Sequence, residues 1–286
     1  MKKKISGEIF SFLVNNILNK YKKKIIKKNI FSYYLRIFKL FYSELNFFLE
    51  YKIFNRNNYI QSQQRKISYN KHWLNFNNIS YFKKPYCWHI FNNEYFLAPA
   101  GLTQDIFRSL IKSEILKLKP RNVLEIGCGI GLNIIYFAKI FKDIKFTGID
   151  ISNYAINKNN LALKKNNINN VEFYCKNAKN LSFKKNTFDL TYTVLALEQM
   201  NKIKFQVIRE IKNITKKKII FIEPFVDVNK KLINFFHMKN SDYFNLYYNE
   251  LESLGLLIER KFDNFPQRLA LAAGFVSLIK KSQNNY

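Results

Sequence analysis

Between residues 100 and 281 two kinds of apolar pattern alternate along the chain. Short apolar runs occupy 123–126, 145–150, 171–176, 189–194 and 218–225. Between them, apolar residues recur every three or four positions over 100–118, 132–140, 154–165 and 203–214. A near-continuous run of that length suits a strand covered on both faces, and the three-to-four spacing lays one stripe of a helix on a sheet. Regular alternation of the two predicts an α/β fold with a parallel sheet. Pro120 closes the first helix, and 227–254 reads as one long helix stopped by Gly255.

The first hundred residues follow another rule. Ile9, Leu13 and Ile17, then Phe31, Tyr34, Leu35, Phe38, Tyr42, Leu45 and Leu49, recur at helical spacing. They predict two or three helices whose apolar face packs on the α/β domain. Lysines at 22–24 and 27–28 allow a second reading, peripheral contact with an anionic membrane. The expected domains are therefore a basic, aromatic helical extension or lid at 1–99 and an α/β domain at 100–286.

Charge sharpens this division. The formal net charge is +28, but Lys, Asn and Ile are abundant everywhere, so most of it reads as compositional background. Residues 1–100 nevertheless carry 18 Lys and Arg against 4 acids, whereas the remaining 186 carry 30 against 16. No acid occurs between Tyr51 and Asn93, where seven basic residues interleave with Trp73, Tyr81, Phe82, Tyr86 and Trp88. Such a stretch either closes over an anionic or aromatic substrate or stacks and neutralises nucleic acid. The lid is the preferred reading. His72 and His89 have no partner legible in sequence.

Cys87, Cys128 and Cys175 lack metal-type or framework spacing, which predicts no zinc site and a reducing compartment. The start resembles a signal peptide only in its lysines, and 30–49 contains Arg36, Lys39 and Glu44, too many charges for a membrane span. A cytoplasmic protein is expected.

The chemistry is concentrated at 123–133, V-L-E-I-G-C-G-I-G-L-N. A strand, glycines at every second position and a helix N-terminus together make a nucleotide-cofactor site. The dinucleotide fingerprint requires its third glycine at 132, which is Leu132. Glu125 precedes the loop, where negative charge suits a cationic ligand portion better than a pyrophosphate. Asp150 ends the next strand, 19 residues beyond Gly131. A carboxylate there accepts hydrogen bonds from two ribose hydroxyls, or else caps the helix starting near Ser152.

The E-x-G-x-G-x-G pattern of Glu125, Gly127, Gly129 and Gly131 resembles motif I of the class I S-adenosylmethionine-dependent methyltransferases. The resemblance covers about residues 100–281. It implies a Rossmann-like, seven-stranded, mostly parallel sheet with helices on both faces, closed by antiparallel strands at 256–262 and 275–281, here with an N-terminal helical extension. It also implies S-adenosylmethionine as cofactor, held by the motif I residues, by Asp150 and Ile151, by Asn177 and Ala178 at the adenine edge, and by backbone near Val194 and Leu195. F-D-L followed by A-L-E-Q-M resembles the family's fourth-strand motif and brings Glu198 near the transferring methyl group; a first-turn helix acid is the alternative. Glu223 lies at the carboxyl end of the fifth strand. Glu198 and Glu223 are the first candidates for a base, followed by Asp227, His89 and His237. The N-P-P-Y signature of amino methylation is absent after the fourth strand. A small or medium organic acceptor is expected, with RNA bound by residues 51–93 as the alternative, and a non-catalytic interaction subunit as a third reading. The 263–274 segment is a second candidate substrate loop.

Overall fold

The computed structural model describes residues 2–49, 86–243, 245–269 and 271–281. In chain order the elements are α1 (Lys2–Tyr21), β1 (Ile26–Lys27), α2 (Ile30–Phe48), β2 (Tyr86–Phe91), β3 (Glu94–Pro99), α3 (Gly101–Leu118), β4 (Asn122–Ile126), α4 (Leu132–Ile140), β5 (Lys145–Asp150), α5 (Asn153–Lys165), β6 (Val171–Cys175), β7 (Phe188–Val194), α6 (Lys204–Ile214), β8 (Thr215–Glu223), α7 (Leu232–Ser241), α8 (Tyr248–Ser253), β9 (Leu256–Phe262), β10 (Gln267–Arg268) and β11 (Gly274–Lys280). Two compact units emerge: Met1–Leu110 with Pro224–Asn245 and Phe262–Ala273, and Ile111–Glu223 with Leu246–Lys261 and Gly274–Tyr286. Much of the 51–93 stretch, residues 51–85, lies outside the described residues.

The second unit is the α/β body. Its seven strands run in the order β6-β5-β4-β7-β8-β11-β9, flanked by helices. Strands β6, β5, β4, β7 and β8 pair in parallel, and β11 pairs antiparallel with β8. The central strands are apolar because both faces are covered: Val123, Leu124 and Ile126 of β4 and Ile219 to Ile222 of β8 are all buried. A buried ionic cluster sits at the β8, β9 and β11 side. Glu114 of α3, fully buried, accepts from Lys218 at 3.1 Å, Arg260 at 2.6 Å and Ser277 at 3.4 Å. Removing the carboxylate breaks the buried ion pairs to Lys218 and Arg260, leaving Lys218 its second partner Glu259, so Glu114→Ala is expected to cost about 3–5 kcal/mol of folding free energy, read as a lower melting temperature. A melting temperature unchanged from wild type would refute that.

The long helix expected at 227–254 is instead α7 and α8. Asp242 adopts left-handed backbone with φ 52°, ends α7 and turns the chain out of the helix. Apolar periodicity continues across the break, which is why sequence spacing joined the two.

The first unit carries a four-stranded antiparallel sheet, β1-β3-β2-β10. Asn92 and Asn93, both at positive φ, make the two-residue turn of the β2–β3 hairpin. Part of the expected 263–274 loop is β10, with Gln267 opposite Ile90 and Arg268 opposite His89. In the N-terminal helices the most buried positions are not those that the spacing marked. In α1 the buried stripe is Phe10 and Val14, with the Phe10 ring 5.2 Å from that of Phe262, and Ile9 is exposed. In α2 Tyr33 is buried and stacks on Tyr95, Phe41 meets Phe236 edge-on, and Phe31, Tyr34, Leu35, Phe38 and Tyr42 face solvent. Both sides of α2 are aromatic, so periodicity locates two stripes without telling which one is inward.

Candidate cofactor-binding site

Because the strands are parallel, the carboxyl ends of β4, β5, β7 and β8 lie along one edge of the sheet, where α/β sheets bind their ligands. The glycine loop leaves β4 there. Gly127, Gly129 and Gly131 all take positive φ, and Gly131 precedes α4 without any side chain to cap it. The loop is pinned to the neighbouring strand: the N–H groups of Gly127 and Cys128 both donate to the Ile149 carbonyl at 2.9 Å. Gly131 N–H donates to the Cys128 carbonyl, and Gly129 N–H to Asp150 Oδ2 at 2.8 Å. A pyrophosphate-binding loop keeps such amides for its ligand. Here four of them are engaged within the protein, which agrees with the misplaced third glycine in arguing against a dinucleotide.

Asp150, at the end of β5, also accepts from Ser152 N–H through Oδ1 at 2.8 Å. Burial raises its pKa, and the N–H groups of Ser152 and Gly129 act in the opposite sense. The cap of α5 is Ser152 itself, whose hydroxyl accepts from Ala155 N–H, so the capping alternative for Asp150 falls away. The next residue, Ile151, is exposed. Asn177 is exposed beyond β6, with its side-chain oxygen accepting from Lys179 N–H, and Ala178 beside it is buried.

Glu125, in the strand before the loop, is buried. One oxygen accepts from Asn133 at 3.0 Å and the other from the Tyr192 hydroxyl at 3.2 Å. Neither Asn133 nor Tyr192 stood out in the sequence, and nor did Asn159, whose amide donates to the Gly129 carbonyl at 2.8 Å. Asparagine is too frequent in this chain for one more to be a signal. Cys128, inside the loop, is buried, and its thiol is pushed well above its ordinary value by burial and by the charges of Glu125 and Asp150. It stays a thiol and does not act as a nucleophile.

The loop after β7 lies against the glycine loop. Leu195 takes left-handed backbone with φ 50° and donates its N–H to the Ile222 carbonyl at 2.9 Å. Glu223, fully buried at the end of β8, accepts from the N–H groups of Ala196 and Leu197 at 3.1 Å and of Glu198 at 3.3 Å. Burial pushes its carboxyl up to about 7, against the pull of these donors. Its lone pairs thus hold the loop on which Val194, Leu195 and Glu198 sit. The approach of the two loops is close: a Cβ built on Gly127 would come 2.5 Å from the Cβ of Ala196. Asp189 of the F-D-L motif is at the opposite end of β7, accepting from Arg121 N–H at 2.8 Å.

The remaining candidate bases lie in the first unit. His89 is buried, with Nδ1 2.9 Å from the Cys87 carbonyl and Nε2 3.0 Å from the Thr103 hydroxyl. A carbonyl can only accept, so Nδ1 carries the hydrogen. Burial lowers the His89 pKa to about 4, and the ring is a neutral structural element. His237 pairs with Glu44 at 2.7 Å.

A sheet of this order, with a glycine loop at its first strand, a strand-end acid at its second and a fixed loop after its fourth, is the Rossmann-like arrangement of the class I methyltransferase fold. Residues 123–218 match the family model described as "Methyltransferase domain". That match begins in β4, ends in β8 and takes in about a third of the chain. The chain is 35% identical over 94 residues to ribosomal RNA small subunit methyltransferase C of Buchnera aphidicola subsp. Baizongia pistaciae, covering 33% of this chain and 28% of that protein. It is 34% identical over 77 residues to the fatty-acid O-methyltransferase of Mycolicibacterium smegmatis, covering 27% of each. The chain thus spans little more than a quarter of the length of these relatives. The crystal structure of the 4+2 cyclase SpnF has the same fold, with a TM-score of 0.52 at 15% identity over 64% of this chain and 84% of that one.

Proposed function

We propose that this protein transfers the methyl group of S-adenosylmethionine to a small or medium organic acceptor. The observation that carries the reading is the glycine loop, whose amides are consumed internally while a strand-end carboxylate, Asp150, stands beside it. That donor set suits a ligand with a ribose diol and a cationic amino acid portion. Asp150 and Ile151 would hold the ribose side, and Asn177 and Ala178 the adenine edge. Glu125, Gly127, Gly129, Gly131, Val194 and Leu195 would line the methionine side. Glu125 acts there through its negative charge and through its hold on Asn133, at the start of α4. When bound, the cofactor supplies an activated methyl on a sulfonium, so the chain's task is to align the acceptor and exclude water. Glu198 is the acid assigned to the acceptor side. Glu223 is reassigned from candidate base to positioning residue, because its oxygens already serve three backbone amides.

Asp150→Ala is expected to weaken S-adenosylmethionine binding by about 1.5–3 kcal/mol for each charge-assisted hydrogen bond lost, measured by calorimetry. Its loop contacts to Gly129 and Ser152 add to the effect. An unchanged dissociation constant would remove Asp150 from the ribose side.

RNA is the second reading, favoured by the acid-free run of seven basic residues with interleaved aromatics at 51–93 and by the partial match to a ribosomal RNA methyltransferase. Incubation with methyl-labelled cofactor and a cell extract separates the two. Label in an extractable small molecule or lipid supports the first, and nuclease-sensitive label the second.

A further inference from the structure

We propose that the outer face of α2 docks the protein on an anionic lipid bilayer. The face is built from Phe31, 72% exposed, Phe38, 66%, and Tyr42, 59%, together with Ile30, Tyr34 and Leu35. At 3.6 residues per turn these six side chains fall within an arc of about 140°. The inner face is already occupied by its own unit, through Tyr33 on Tyr95, Phe41 on Phe236, and Glu44, which accepts from Asn240 and pairs with His237. The outer stripe therefore is not a core face of that unit.

Charge selects the occupant. Residues 2–49 contain 11 Lys and Arg against two acids, Glu8 and Glu44. Glu44 turns inward, and α2 carries no other acid. Arg36 and Lys39 are exposed on the same helix, and the exposed Lys22, Lys23, Lys24, Lys27 and Lys28 lie just before it. Apolar rings beside two tyrosines that can keep their hydroxyls wet, bordered by cations, match the boundary of acyl chains and anionic headgroups. A second copy of this chain would bring like charge against like. No described helix is long and apolar enough to cross a membrane, so the contact is one of lying on the surface.

The test is cosedimentation of the full chain with vesicles of phosphatidylcholine alone or mixed with phosphatidylglycerol. Binding to the mixed vesicles, weakened by salt, is expected. Phe31→Ser with Phe38→Ser is expected to lower that binding at least about tenfold, with an unchanged thermal melt because both positions are exposed. Equal binding by the double variant would reduce the attraction to general basic charge and overturn the proposal. Absence of binding to the mixed vesicles would also overturn it. A concentration-dependent dimer that the double variant abolishes would assign the face to a second copy instead.

Discussion

Gly127→Ala is expected to raise the dissociation constant for S-adenosylmethionine by about thirtyfold or more. Two costs combine. The position has φ +70°, and left-handed backbone costs a side-chain-bearing residue about 1–2 kcal/mol. The new Cβ would also stand 2.5 Å from that of Ala196, an overpacking worth about 1–3 kcal/mol. Together these come to about 2–5 kcal/mol, the lower end of which corresponds to the stated change in affinity. Ala196 cannot retreat freely, because its N–H and those of the next two residues are held by Glu223. Relief must come from the glycine loop, the element that meets the cofactor. Calorimetric titration, with circular dichroism to verify folding, checks this. A folded variant with unchanged affinity would separate the loop from cofactor binding.

The second large effect concerns Glu223 and pH. Its carboxyl titrates at about 7 in the folded chain, against an ordinary value of 4.5. An acid raised in this way holds its proton more tightly folded than unfolded. Its stabilising contribution is complete below about pH 4.5 and is lost as pH climbs through about 7, amounting to about 3 kcal/mol. The protonated acid still accepts from the loop amides through both oxygens. Glutamine cannot, since its NH2 group would oppose an N–H donor. Glu223→Gln is therefore expected to lose one loop hydrogen bond at every pH, about 1–3 kcal/mol, and to flatten the decline of stability between pH 5 and 7. Urea melts at a series of pH values measure both. A variant with the same slope as wild type would show that Glu223 does not titrate in that range.

Legibility differed from one part of the molecule to another. The strand and helix alternation from residue 100 and the glycine spacing at 127–131 could be read directly, because each depends on a few residues close in sequence. Spacing also disfavoured a dinucleotide, and the internal hydrogen bonds of the four loop amides agree with that reading. Glu223 could be located but not understood. An acid after an apolar strand reads the same whether it opens to solvent or folds back on a neighbouring loop. Only the pairing of β7 with β8 brings Ala196, Leu197 and Glu198 to its oxygens. The roles of Asn133, Asn159 and Tyr192 were hidden for the same reason, since each bonds to a residue supplied by a different element.

The N-terminal helices mark the boundary most clearly. Local spacing was enough to make α1 and α2 helical and to give each an apolar stripe. Which stripe turns inward was decided by their partners, Phe262 for α1, and Tyr95 and Phe236 for α2, all distant in the chain. Periodicity follows from backbone geometry and is written in consecutive residues, whereas burial is a choice between faces that only the packed neighbours can make.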